Sequence, residues 1–531
     1  MAISSGFGFS CRPNLHFCHC FRKVRFGSVA DVIDEPDTFF KGYSNRNFDS
    51  VSSFNDGVFG IEGFDDGNKA PVWKRFTSKE LGITNGLIPR PTRLVLEGLK
   101  RKGYKVYLVG GCVRDLILKQ KPKDFDVLTS AELKEVARTF SQCLTVGRRF
   151  PICHVTVDGT IVEVSSFSTS VRSGRAVRFD VERPLGYEKE DYIRWRNCLE
   201  RDFTINSLML DPYAKIVYDY LGGVEDIRRA KVQTVKPSNI SLSEDSARIL
   251  RGIRIASRLG FGFTRETALG VINLSFSVLR LDKGRLLMEV NYMLAYGSAE
   301  SSLRLLWKYG LLDILLPFQA AHFVRSGFRR RDKRSNMLLC LFSHMDKFLA
   351  PDMPCHSSLW VAILAFHKAL SDEPREPAVV AAYSLTVYFG GDMSEALKIA
   401  REISRPHDAD FNELLEPCTL DHEELKEEVL HFDMAVRRAL SEMTDEYHVS
   451  KAMSGFPKAP KSDLVFISLQ LYLRVCKIFE CVKEGKQVNI VAKQGSNIDN
   501  ELLTLGSLEE VRHVFARVVF DTVYPISTSL Q

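Results

Sequence analysis

Tyr107 to Ser130, "YLVGGCVRDLILKQKPKDFDVLTS", is the stretch on which the fold turns. An apolar run, Val106 to Val109, ends in Gly110 and Gly111. This predicts a strand turning at once into the short helix "VRDLILKQ". "DFDVLT" then reads as a second strand. Side chains alternate faces along a strand, so Asp124 and Asp126 point one way and Phe125 points to the core. Two carboxylates on one face suit a hard divalent cation such as Mg²⁺, which prefers oxygen ligands. Two such ions about 3.5–4 Å apart can clamp an in-line displacement at phosphorus. Taken alone, an Asp-x-Asp is more often an exposed strand end. The upstream context raises its weight. Gly110 and Gly111 lack Cβ atoms, so a phosphate can approach their backbone. Amides opening the next helix favour an anion. Arg114 adds positive charge and Asp115 can brace it. No Walker lysine follows, and no cysteine or histidine joins the aspartates.

Working outward, "RPTRLVLEGLKRKG" predicts a helix ending near Gly103. "AELKEVARTF" predicts another, followed by strands "HVTVDG" and "TIVEVSSF". The latter carries Glu163, which is either a third carboxylate beside the aspartates or an ordinary strand glutamate. A long polar stretch follows, about residues 168–196, with Arg172, Arg175 and Arg178 and little periodicity. Loops of this length are usually functional. After "RDFTINSLMLDP" comes the strand-like "KIVYDY" and a Gly222-Gly223 turn. From Ser243, a plausible N-cap, one helix is expected through "ARILRGIRIASRLGF" to Gly260. The pattern then stays helical almost to the end, with no repeat of fixed period. These elements imply an α+β protein. Its parts would be an N-terminal segment and linker (1–75), a mixed-sheet head (76–235), a helical neck (236–320) and a helical body (321–531).

At 531 residues the chain is long enough for several domains, and 45% hydrophobic with 26% charged residues is ordinary for a globular protein. A net charge of +6 is compatible with a polyanionic partner without demanding one. The 12 cysteines lack paired spacing and read as reduced thiols. His16, Cys18, His19 and Cys20 lie too close together to surround one tetrahedral ion. No uncharged apolar run is long enough to span a membrane. Residues 1–30 contain no Asp or Glu and carry Arg12, Arg22, Lys23 and Arg25. Such a start reads as an organelle transit peptide. Its Met-Ala and serine content leans to a plastid, with a mitochondrion as the alternative.

Three blocks in order carry a family resemblance. "LVGGCVRDLILKQKPKDFDVLT", "ERDFTINSLMLDP" (Glu200 to Pro212) and "EDSARILRGIRIASRLGF" (Glu244 to Phe261) resemble the signatures of class II nucleotidyltransferases, within the polymerase-beta-like superfamily. That family comprises bacterial-type poly(A) polymerases and CCA-adding tRNA nucleotidyltransferases. The resemblance covers about Ile88 to Phe318. It implies two Mg²⁺ ions on Asp124 and Asp126, with Glu163 as a candidate third ligand, and ATP as substrate. It implies triphosphate at Gly110, Gly111 and Arg114. Arg201, Asp202 and Asn206 would position the nucleotide. Glu200 departs from the family's usual arginine. Asp245 and Arg248, three apart and so on one helix face, would read the base without a template. Arg251, a turn further on, would support Asp245 or bind phosphate.

The blocks leave the product open. "VGRRFPICHV" (Val146 to Val155) resembles a segment of the poly(A) polymerases, although Thr145 is a departure, and this favours adenylate addition over CCA addition. An inactive RNA-binding relative is the third reading, opposed by the intact aspartates. The implied partner is an RNA 3′ end, of mRNA, rRNA fragments or tRNA. Arg148 and Arg149 would offer charge to it, as would Arg329, Arg330 and Arg331 in "RSGFRRRDKR", with Phe328 available for stacking.

Overall fold

In the computed structural model of the protein, residues 73–147, 151–170, 188–350, 353–452, 464, 467–482, 493 and 495–525 are described. The chain divides into two units, Met1–Lys69 and Ala70–Gln531. The first lies outside the described residues, and with it the proposed transit segment and the His16–Cys20 cluster.

Eight strands of the second unit form one mixed sheet: β1 (Lys74–Thr77), β2 (Val106–Val109), β3 (Asp126–Thr129), β4 (Cys143–Val146), β5 (Ile152–Val157), β6 (Thr160–Ser166), β7 (Met209–Asp211) and β8 (Ile216–Asp219), in the order β1-β8-β7-β2-β3-β6-β5-β4. Only β3 and β6 run parallel. The sheet is larger than expected, because β1 and β4 are short, half-exposed edge strands without apolar runs.

β2 lies inside the sheet and is buried on both faces. Val106 and Leu108 face the main core, and Tyr107 and Val109 face a smaller cluster with Leu128, Trp195, Met209 and Tyr218. On the main-core side pack α1 (Arg90–Arg101), whose buried stripe is Thr92, Val95, Leu96 and Leu99, then α2 (Gly111–Ile117) and α3 (Leu133–Thr139). After the four-residue turn α4 (Phe167–Ser170), residues 171–187 lie outside the described part, with Arg172, Arg175 and Arg178.

The expected polar loop does not run to residue 196: α5 spans Lys189–Leu199. Its buried positions are Asp191, Arg194, Trp195 and Cys198, at helical spacing. Two of the four are charged, so hydrophobic periodicity could not reveal them. Arg194 donates to Asp191 at 2.6 Å, to the Tyr220 hydroxyl at 2.7 Å and to the Tyr107 hydroxyl at 3.1 Å. This closed network compensates the buried charges.

Two further helices, α6 (Gly223–Arg228) and α7 (Ser238–Glu244), precede α8 (Ala247–Leu259). The single helix expected from Ser243 is therefore two. Ser243 lies inside α7, the chain is extended at Asp245 (φ −148°, ψ 100°), and α8 ends on left-handed Gly260. Helices then continue as α9 (Arg265–Asn273), α10 (Lys283–Leu294), α11 (Ala299–Lys308), α12 (Leu312–Leu315), α13 (Pro317–Arg325) and α14 (Met337–Phe348). α15 (Ser357–Asp372) is buried from Ser358 to Leu370 and α16 (Pro377–Tyr388) is buried nearly all round, so they form the centre of the helical part. α17 (Met393–Arg401), α18 (His422–Thr444), α19 (Glu446–Ala452), α20 (Leu469–Phe479), α21 (Asn500–Leu505) and α22 (Leu508–Val523) complete the chain, with α17, α18 and α22 packed against α16. One apolar core runs from Leu81 to Tyr524, through sheet and helices alike. The nine described cysteines are free thiols. Among the described residues, no helix is long and apolar enough to cross a membrane.

Candidate active site

Strand β2 delivers the chain to Gly110, whose φ of +79° is one that L side chains rarely adopt. A Cβ there would lie 3.2 Å from Asp126 Oδ2 and 3.2 Å from Arg201 Nη1. The bare turn is thus wedged between a carboxylate and a guanidinium, two of the groups singled out from sequence. At Gly111, which opens α2, a Cβ would meet Arg114 Nη2 at 3.3 Å.

Strand β3 begins at Asp126, with Asp124 just before it. The predicted alternation holds: Asp124 is exposed, Phe125 is buried and Asp126 is half-buried. Strand β6 aligns Val164 with Val127, so one residue back along both strands Glu163 sits beside Asp126. Burial, then the charges of Glu163 and Asp124, push Asp126 up to about 6, against a lowering by Arg201. Three carboxylates thus share one field. Asp124 also helps raise the Tyr296 hydroxyl, whose shift comes first from burial. Glu163 is half-exposed, with His154 Nε2 3.7 Å from it on the neighbouring strand. Oxygen donors crowded enough to repel one another fit a hard divalent cation.

The second and third sequence blocks meet at Asp202. Its Oδ1 accepts from the Phe203 amide at 2.8 Å and from Asn206 Nδ2 at 3.1 Å, and its Oδ2 accepts from Arg251 Nη1 at 3.1 Å. Burial alone would raise Asp202; the Arg251 charge and these hydrogen bonds reverse that and hold it below the usual carboxylate range. Arg251 therefore supports Asp202 in the head. It does not hydrogen-bond Asp245, whose charge reaches it only through space. Asn206 Oδ1 accepts from Arg114 Nη1 at 2.6 Å, and Arg114 Nε donates to Asp115 at 2.8 Å, the brace expected. Arg201 Nη1 donates to the Asn206 carbonyl at 3.4 Å, while its buried Nε has no partner. A buried donor lacking an acceptor, beside a backbone turn without side chains, fits an anionic ligand.

Asp245 and Arg248 do not share a helix face. Asp245 sits in the break, its Oδ1 accepting from the Ala247 amide at 3.1 Å, and Arg248 stands in the first turn of α8. Arg248 Nη1 reaches the Ser241 carbonyl at 3.1 Å and hydroxyl at 2.9 Å and Glu244 at 3.3 Å; its Nη2 donates to the Glu200 carbonyl at 3.4 Å. The departing residue, Glu200, thus contributes backbone to this site. Further basic side chains not singled out from sequence are Arg254, one turn further along α8, and Lys123, before β3. Arg254 stacks on Tyr292 at 4.9 Å and pairs with the buried Glu289 at 3.3 Å, while Lys123 lies 4.7 Å from the Tyr296 ring. The three-residue spacing of Arg248, Arg251 and Arg254 was the available signal.

The basic cluster divides. Arg329 and Arg331 are exposed. Arg330 is committed to the fold: it lies 3.7 Å over Trp307, donates to the Trp307 carbonyl at 2.8 Å and pairs with Asp313 at 2.5 Å. Phe328 does not stack on a ligand; it is buried, 4.9 Å from Phe323. Arg148 and Arg149 lie outside the described residues.

A glycine turn, a three-carboxylate field and a guanidinium with a buried, unpartnered Nε are the groups expected of a nucleotidyltransferase-type site. Residues 106–233 match the family described as Poly A polymerase head domain, and residues 260–323 match a probable RNA- and SrmB-binding site of polymerase A. These two parts of the chain are similar to poly(A) polymerases and CCA-adding enzymes. The chain is 35% identical over 246 residues to poly(A) polymerase I of Escherichia coli O6:H1, covering 44% of this chain and 51% of that one. Poly(A) polymerase I of Haemophilus influenzae is 32% identical over 233 residues, covering 43% and 52%. A CCA-adding enzyme of Geobacillus kaustophilus is 32% identical over 223 residues, covering 42% and 53%. The chain spans about half the length of these curated relatives.

Proposed function

We propose that the chain is a template-independent RNA 3′-end nucleotidyltransferase that transfers adenylate from ATP, a poly(A) polymerase. The observation carrying this reading is the wedge of Gly110 between Asp126 and Arg201. It sets a metal-binding carboxylate and a phosphate-binding cation on either side of a backbone with no side chain. In the reaction the RNA 3′-hydroxyl loses its proton and attacks the α-phosphorus, and pyrophosphate leaves. Asp124, Asp126 and Glu163 would hold Mg²⁺, which when bound supplies a lowered pKa for the attacking hydroxyl and charge neutralisation at the leaving group. Arg201 and Arg114 draw in the triphosphate. Asp202, through Asn206 and Arg251, fixes both arginine-bearing segments. Asp245 and Arg248 select the base: a carboxylate accepts from an exocyclic amine and a guanidinium donates to a ring nitrogen. Arg148, Arg149, Arg329 and Arg331 offer charge to RNA.

Adenylate addition is favoured over CCA addition by "VGRRFPICHV". The purified chain is incubated with tRNA lacking its CCA end and with an unrelated RNA, each with ATP alone or ATP plus CTP. Adenylate tails on both RNAs are expected. Completion of CCA on tRNA, with no tailing of the other RNA, refutes the reading in favour of a CCA-adding enzyme. The address is proposed to be an organelle, a plastid before a mitochondrion. A fluorescent protein carrying residues 1–75 should enter that compartment.

A further inference from the structure

Outside the head, the helical part buries a second set of donor atoms. His322 on α13, His367 on α15 and Glu413, in the connection between α17 and α18, are all buried, and one donor atom of each lies within 4.8 Å of the other two. Glu413 Oε1 is 3.2 Å from His322 Nε2 and 3.3 Å from His367 Nε2. The two rings are nearly perpendicular, with centroids 4.6 Å apart. Ligands on a tetrahedral ion with bonds of about 2.0–2.1 Å are spaced about 3.3 Å apart. The two measured edges match that spacing.

One of the two contacts is a hydrogen bond, between His367 Nε2 and Glu413 Oε1, and the other is not. His322 is more than nine-tenths buried, yet its Nε2 makes no aligned hydrogen bond despite its nearness to Glu413. A buried imidazole nitrogen aimed at a shared centre without a hydrogen-bond partner costs stability unless something fills that centre. One turn before His322, Gln319 is buried and its Oε1 also lacks a partner. Neutral nitrogens and an anionic oxygen are what a zinc-type ion needs.

We propose that His322, His367 and Glu413 bind a structural divalent transition-metal ion, of the Zn²⁺ type. The site joins three segments some 45 residues apart in sequence, a spacing that matches no short motif. The Glu413 segment is itself fixed by backbone hydrogen bonds from Arg375 to Glu413 at 3.2 Å and from Leu415 to Arg375 at 2.9 Å. An ion there ties the end of the segment matched as an RNA-binding site to the centre of the helical part. Metals joining distant segments stabilise by closing long loops that the unfolded chain leaves open.

The test uses the full chain with Asp124→Asn and Asp126→Asn, which removes the active-site carboxylates as competing ligands, and a purification tag without histidine. Metal-free protein is titrated with Co²⁺, then separately loaded with Zn²⁺, desalted and counted by inductively coupled plasma mass spectrometry. The intense visible bands of tetrahedral Co²⁺, saturating at one equivalent, and one retained zinc per chain are expected, both lost when His322→Gln is added. Absence of the cobalt bands at excess metal overturns the proposal, leaving a buried polar triad. Bands that persist unchanged in the His322→Gln chain overturn it too. Where His322→Gln fails to fold, Glu413→Gln, which keeps the shape and removes the anionic donor, is read for the same two outcomes.

Discussion

Asp126→Asn should abolish nucleotidyl transfer and yet stabilise the metal-free fold at neutral pH. The folded protein raises this carboxyl from 3.8 to about 6, so ionising it near neutrality works against folding. Between those two values the native state binds the proton that the unfolded state has released, and stability falls as pH rises through that window. Well below 3.8 the group is protonated in both states and the penalty vanishes. A rise of this size corresponds to on the order of 3 kcal/mol. Asparagine keeps the shape, does not titrate, and relieves Glu163 and Asp124 of a like charge, while losing the attraction to Arg201. Urea denaturation in EDTA at about pH 3 and about pH 7.5 measures the effect. The variant should match the wild type at the lower pH and exceed it by about 1–3 kcal/mol at the higher. Adding Mg²⁺ or Mn²⁺ should close that gap for the wild type alone, since a ligand at a hundred times its dissociation constant contributes about 2.7 kcal/mol. A variant less stable than wild type at both pH values, or a difference that does not change with pH, refutes the reasoning.

Gly110→Ala puts a methyl group 3.2 Å from both Asp126 Oδ2 and Arg201 Nη1 at a φ of +79°. It should cost about 1–3 kcal/mol in denaturant melts and lower kcat by about a hundredfold or more through misplacement of reacting groups. Arg251→Ala leaves Asp202 buried without its cation and should destabilise by about 3 kcal/mol, increasingly so above pH 4 where the carboxylate is ionised; adding Asp202→Asn should recover part of that loss without restoring activity. Arg330→Ala removes the Trp307 stack and the Asp313 pair, so a lowered melting temperature is expected with little change in RNA affinity. Arg329→Glu with Arg331→Glu should do the reverse, flattening the dependence of RNA binding on salt by about one phosphate contact per residue.

The head was legible where physics writes a short period into sequence. β2 is a four-residue apolar run ending in two glycines and survives unchanged; β3 starts only at Asp126, but the expected exposure pattern of Asp124, Phe125 and Asp126 holds. Strand β6 could be read, but its place beside β3 could not, because β3 pairs with β2 on one side and with β6 rather than β4 on the other, which is a property of topology. Helix α5 was hidden by burying Asp191 and Arg194 on the face where apolar residues were sought. The break at Asp245 was hidden for another reason. The residues from Glu244 through Leu250 form helix readily, and it is tertiary contact with Ser241 and Glu200 that holds Arg248 across the interruption. Phe328 looked exposed because arginines surround it in sequence, whereas its ring packs on Phe323. The Asp202–Arg251 pair, separated by 49 residues, carries no local signal at all.

That pair bears on how the proposed enzyme discriminates between nucleotides. Asp202 has both oxygens engaged: Oδ1 on the head through Phe203 and Asn206, Oδ2 on α8 through Arg251. Asn206 in turn holds Arg114 beside the glycine turn. A continuous line of hydrogen bonds therefore runs from the phosphate-binding turn to the helix that carries Arg248. Turning any member breaks the bond to the next, and each break would leave a buried charge or amide unsatisfied. The groups proposed to read the base and those proposed to grip the triphosphate are thereby coupled. A base that fails to satisfy Asp245 and Arg248 has no neighbouring position to relax into without drawing its α-phosphorus away from the carboxylates. On this arrangement a wrong base is rejected chiefly by misplacement of the reacting atom, which lowers the rate of transfer more than the strength of binding.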